Sequence, residues 1–159
     1  MLKLLGLVVL FFSVCGMGIS AGVGLKERVK KLVEFIKIAE QFEIYTQYIQ
    51  TDIFETMRRI NASEKSGILT SLLEHQENWS RSSIEEALTV ICESDREIMI
   101  EFFCAIGTSD LNGQSAVCKK AVLRASQVLQ EAREELNSKG KMYRSLGICA
   151  GLAAVIFFI

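Results

Sequence analysis

The chain has 159 residues, half of them apolar, enough for one domain with a modest core. Its 18 lysines and arginines are offset by 19 acids to a formal net charge of −1, which leaves no basic face to neutralise phosphates and excludes nucleic acid as a partner. Proline is absent and glycine is sparse between Leu25 and Gly107, so nothing forces strand edges or a linker, and the fold class is all-α.

In chain order, Leu4 to Leu25 (LLGLVVLFFSVCGMGISAGVGL) runs 22 residues without a charge. At ~1.5 Å per residue that length reaches across a ~30 Å hydrocarbon core, so residues 4–25 read as a transmembrane helix. A cleaved signal peptide competes, with Lys3 as n-region, Leu4 to Val14 as h-region and a cleavage site ending at Ala21. Lipoprotein processing at Cys15 is set aside, because Val14 stands where a small residue is wanted.

Val29, Leu32, Ile36, Ala39, Phe42, Tyr45 and Ile49 recur at spacings of three and four, predicting a helix over 26–49 that continues the membrane segment. Thr51 starts the next, with Asp52 and Glu55 in its first turn and Ile53, Phe54, Met57 and Ile60 on its buried side. Ile68, Leu69, Leu72 and Leu73 predict a helix over 63–78, weakened by ~1 kcal/mol at Gly67 and ended by the polar residues 78–83. Ser82 with Glu85, and Ser94 with Glu97, have capping-box spacing and place helices over 83–92 and 95–106.

The string GTSDLNGQ, residues 107–114, then reads as a helix corner. Gly107 ends one helix in a left-handed conformation, Thr108, Ser109 or Asp110 caps the next, and Gly113 and Gln114 lead into it. The string lacks the lysine and hydroxyl of a phosphate loop. Val117, Ala121, Ala125, Val128, Ala132 and Leu136 predict one long final helix, with Gly140 a place where it can bend. Tyr143 and Arg144 suit a bilayer interface, and residues 145–159 form a charge-free segment of 15 residues, short for a crossing and requiring a thin or tilted accommodation.

Flanking charge orients the whole. Lys26, Arg28, Lys30 and Lys31 follow the first apolar segment, and Lys139, Lys141 and Arg144 precede the second, so residues 26–144 are expected in the cytoplasm and both termini across the membrane, with Lys3 a minor contrary charge. Gly18 with Gly22, and Gly147 with Gly151, are small-xxx-small pairs through which the two membrane helices could pack. The architecture is therefore a cytoplasmic helical bundle flanked by an N-terminal and a short C-terminal transmembrane helix.

Little here suggests catalysis. His75 stands alone beside Glu74 and Glu77 and reads as an exposed residue. Glu85 with Glu86, and Glu134 with Glu135, are adjacent on helices and point to different azimuths, as on a solvated face. Cys15, Cys92, Cys104, Cys118 and Cys149 have no metal or redox spacing and read as buried small hydrophobes in a reducing compartment. No catalytic, cofactor or metal site and no small-molecule substrate is expected.

IGTSDLNGQ, followed about thirty residues later by KMYRSLGICAGL and an apolar tail, resembles the stage III sporulation protein AB family. The family pattern is similar to L-G-x-S-D-x-x-x-Q, a lysine-rich stretch, then K-x-Y-x-x-L-G-x-x-x-G-L, and the resemblance covers essentially the whole chain. Leu111 and Asn112 stand where members usually carry charges, and TDIFETM where they have a proline-containing helix entry. The resemblance implies a subunit of the complex that spans the envelope between mother cell and engulfed forespore, similar to half of the inner-membrane platform protein of type II secretion and type IV pilus systems. Implied partners are a secretion-type ATPase, other stage III subunits and the mother-cell membrane facing the forespore. The implied interaction residues are Gly107, Thr108, Ser109, Asp110, Gly113, Gln114, Tyr143, Arg144, Gly147 and Gly151. A rival reading is a secreted helical binding module whose first 21 residues are removed. A general secretion or pilus platform fits less well, since those proteins resemble a duplicated domain and no internal repeat is present here.

Overall fold

The computed structural model describes residues 2–48, 52–106 and 111–158, with side chains over 23–47, 52–106 and 113–139 and at Met142, Ser145 and Cys149. These residues form six α-helices: α1 (Leu2–Tyr48), α2 (Ile53–Glu64), α3 (Gly67–Glu74), α4 (Arg81–Ala87), α5 (Glu93–Ile106) and α6 (Leu111–Phe158), with one 3₁₀ turn at Gln76–Asn78. The all-α reading holds. Among the described residues no helix is long and apolar enough to cross a membrane, and the side chains of 4–22 and most of 146–159 lie outside that set.

Two compact units divide the chain, one of residues 30–129 and the other of 1–29 with 130–159. In the first, α1 buries Leu32, Phe35, the adjacent Ile38 and Ala39, and Phe42, which recur about once per turn on one face. Phe102 of α5 is the centre of this core. Its ring meets Phe35 at 5.4 Å, Phe42 at 5.8 Å and Phe103 at 5.0 Å, all edge to face, the arrangement the ring quadrupole favours. From α6 come Cys118, Ala121 and Ala125, small buried side chains that leave room for the phenylalanines. Met57 and Ile60 of α2, Leu69 and Leu72 of α3 and Ile84 of α4 complete the interior.

Within the same unit α1 and α6 run antiparallel. Glu43 accepts from Ser115 at 3.2 Å and pairs with Lys119 at 3.4 Å, and Gln47 reaches Ser115 at 3.4 Å. In the other unit the same helices meet at Arg28, whose guanidinium donates to Glu135 at 2.9 Å. Lys139, one turn beyond, also donates to Glu135 at 2.6 Å, and these two cations hold its carboxyl below the usual carboxylate range, Lys139 most strongly. Glu135 is thus an ion-pair hub of that unit.

Helix ends differ from the sequence expectations in instructive ways. Asp52, not Thr51, caps α2, accepting from the Phe54 amide at 3.1 Å. The helix expected over 63–78 is divided: α2 runs on to Glu64, Lys65 takes a left-handed conformation (φ 49°), and Ser66 caps α3 by accepting from the Leu69 amide at 3.2 Å. Gly67 is then the first residue of a helix instead of an interior one, and the expected penalty largely vanishes.

Neither capping box forms. Ser80, not Ser82, caps α4, accepting from the Ser83 amide at 3.3 Å, because an extended residue at 80 (ψ 162°) starts the helix two residues early. Glu97 bonds to Arg81 instead of turning back to Ser94, and α5 starts at Glu93. α6 stays helical through Gly140. His75 is half-buried at the end of α3, and its Nδ1–H donates to the Ser71 carbonyl at 2.9 Å, a carbonyl being able only to accept. Trp79, inside the stretch read as polar, packs edge to face on Phe54 at 5.2 Å.

Candidate docking surface

Of the residues proposed from sequence, Gly107, Thr108, Ser109 and Asp110 lie outside the described residues. Gly113 and Gln114 stand half-buried in the first turn of α6, just before Ser115 and its bond to Glu43. Tyr143, Arg144, Gly147 and Gly151 fall in the last third of the same helix, with their surroundings outside the described set. Gly113 and Gln114 belong to the unit of residues 30–129, and Tyr143, Arg144, Gly147 and Gly151 to the unit of residues 1–29 and 130–159.

What the structure gathers was not singled out in the sequence. Along α5 and α6 runs a half-open groove of about 410 Å³. Ile98, Phe102 and Ala105 of α5 and Val117 and Ala121 of α6 give it an apolar floor. Its rim is charged: Arg81 of α4 donates to Glu97 of α5 at 2.5 Å, Arg124 of α6 pairs with Glu101 of α5, and Lys120 stands one turn from Arg124. Both ion pairs are about half exposed, and exposed pairs contribute only ~0–1 kcal/mol each. The rim charges can therefore change partners at little cost.

Glu97 and Glu101, and Lys120 and Arg124, are each four apart on their helices, the spacing that puts side chains on one face. That was the available signal. Two such pairs flanking apolar residues on neighbouring helices mark a groove only when the helices are known to pack side by side. A smaller hollow of about 210 Å³ lies between Lys31, Gly67 and Leu88.

The cysteines separate by environment. Cys118 is buried, and burial, reinforced by Glu43, pushes its thiol up to about 12. Cys104 lines the groove, and burial raises its thiol despite the nearby Arg81 cation. Cys92 is exposed, with its sulfur 3.3 Å from the Ser94 hydroxyl, and Cys149 is exposed too, so the expectation of buried small hydrophobes fails at both. A raised thiol pKa means little thiolate at neutral pH, which makes buried Cys118 a poor nucleophile.

No curated protein and no solved structure matches the chain. The family model of stage III sporulation protein AB matches residues 3–159, spanning both compact units, the groove and the apolar ends. The chain belongs to the stage III sporulation protein AB family.

Proposed function

We propose that this stage III sporulation protein is a membrane-anchored platform subunit of the complex linking mother cell and forespore. In this reading residues 26–144 form a cytoplasmic helical body, and the apolar segments 4–25 and 145–159 cross the mother-cell membrane. The body docks a secretion-type ATPase and neighbouring membrane subunits. The observation that carries the reading is continuity: α1 and α6 each include an apolar end segment and a stretch of the bundle core in one unbroken helix. The cationic residues between body and apolar segments, Lys26, Arg28, Lys139, Lys141 and Arg144, support the assigned orientation.

Sporulating cells tested by alkaline carbonate extraction, followed by detergent solubilisation and affinity isolation of the full chain, check the reading. The chain is expected in the pellet with the complex's ATPase retained on it. Release into the carbonate supernatant would contradict the anchoring, and absence of the ATPase would contradict the docking role.

A further inference from the structure

The groove between α5 and α6 has a shape and a charge pattern of its own. Ile98, Phe102 and Ala105 follow one another at spacings of four and three on α5, and Val117, Ala121 and Arg124 do so on α6. Two turns of each helix thus line one hollow, half-open along its length. A trough of that form fits the apolar stripe of a third helix, with anchors at i, i+3 or i+4, and i+7, better than a compact metabolite that would need enclosure on all sides.

The rim settles the sign of the occupant. Three cations, Arg81, Lys120 and Arg124, face the groove together with one acid, Glu101, while Glu97 engages Arg81 from beside it. Lys120 forms no ion pair among the described residues. The two existing pairs are exposed enough for an incoming carboxylate to displace Glu97 or Glu101 at little cost.

We propose that this groove docks an acidic amphipathic helix of a partner protein, its apolar stripe entering over the half-buried Ala105 and Val117 and its flanking carboxylates engaging Lys120, Arg124 and Arg81. The inference rests on the platform reading only in making that partner another subunit of the complex. Complementary charge here sets register and sign, and Ala105 and Val117 give the apolar stripe its contact.

Cys104 sits in the groove and Cys92 is exposed elsewhere, so native cysteines report occupancy. The full chain in zwitterionic lipid nanodiscs is treated with N-ethylmaleimide, and alkylation of each cysteine is followed by mass spectrometry. The probes are a helical peptide of about five turns with leucines at helical spacing flanked by glutamates, and the same peptide with lysines for the glutamates. The acidic peptide is expected to slow alkylation of Cys104 at least about fivefold, leaving Cys92 unchanged, with protection lost in Lys120→Glu and in Arg124→Glu. Both variants change exposed or rim side chains, and a thermal melt matching the parent confirms folding. Equal protection by the lysine peptide, protection of both cysteines, no protection, or protection that survives Lys120→Glu would overturn the proposal. Those results leave the platform reading standing, because anchoring is read separately by carbonate extraction.

Discussion

The Ser66 hydroxyl donates to the Glu34 carboxylate at 2.6 Å, and the same carboxylate oxygen accepts the Ile68 amide at 3.3 Å. A side chain of α1 therefore helps close the start of α3, thirty-two residues away in sequence. Lys31 reaches the other carboxylate oxygen at 3.4 Å. Burial pushes the Glu34 carboxyl up, but Ser66, the Ile68 amide and Lys31 together outweigh it and hold the group below the usual carboxylate range.

The sign of the pH effect follows. A carboxyl whose folded pKa lies below its unfolded value of about 4.5 binds fewer protons in the folded state. Its stabilisation is full above that value and is lost as pH falls through the lower folded one. Thermal melts of the full chain in mild detergent are expected to show less acid sensitivity below about pH 4.5 in Glu34→Gln than in the parent. Ser66→Ala, which removes both the α3 cap and this bond, is expected to cost ~1–2 kcal/mol at neutral pH. An unchanged acid profile in Glu34→Gln would contradict this assignment.

Lys65 holds a left-handed backbone (φ 49°) where α2 gives way to α3, and its own amide donates to the Asn61 carbonyl at 2.9 Å. An L-residue there carries ~1 kcal/mol of steric cost that glycine avoids. Against the greater freedom of glycine in the unfolded chain, Lys65→Gly is expected to stabilise by up to ~1 kcal/mol, and Lys65→Val to destabilise. Denaturant midpoints of the two variants give the comparison directly.

Phe102 touches Phe35, Phe42 and Phe103 and is 1% exposed. Phe102→Ala is expected to cost ~3–5 kcal/mol, whereas Phe54→Ala, at the half-buried Trp79 contact, should cost clearly less. A milder loss at Phe102 than at Phe54 would move the core away from the α1–α5 contact.

Much of this fold is legible in the sequence, for a physical reason. The stripes on α1 and α6 repeat over many turns, so their period survives local ambiguity, and Leu32, Ala39, Phe42, Ala121 and Ala125 on those stripes are buried. Phe35 and Ile38 are buried too, beside the stripe through Val29, Leu32 and Ile36, which a single row of spacings does not include. Caps are harder. Ser80, Ser82 and Ser83 are chemically equivalent candidates, and only the extended backbone at Ser80 chooses among them. Asn61, Ser63 and Ser66 are all candidate caps ahead of Ile68, and the left-handed turn at Lys65 selects Ser66. The groove depends on α4, α5 and α6 meeting in space, which no local pattern encodes.

In the unit of residues 1–29 and 130–159, the Arg28–Glu135 contact sets the level at which α1 and α6 meet. One turn further along each helix stand Gly24, with open space around its Cβ position, and Lys139. Gly24→Cys with Lys139→Cys is expected to form a disulfide under mild oxidation. Position 22 lies six residues before Arg28 and position 147 twelve after Glu135, an offset of ~9 Å along the axis, so that pair is expected to react poorly. Leucine at Gly147 and Gly151 should lower the yield between 24 and 139 if the apolar ends pack through their small residues. The reverse order of yields would contradict the register.

The central claim is a helical body on the cytoplasmic side held by two crossings. Its most direct test is cysteine accessibility in intact cells, with the native cysteines replaced and single probes at exposed Asn78 and just after Ile159. The account predicts that position 78 is shielded from an impermeant maleimide until the cells are opened, while the probe after Ile159 is labelled from outside. Labelling of position 78 in intact cells would contradict it and place the body across the membrane.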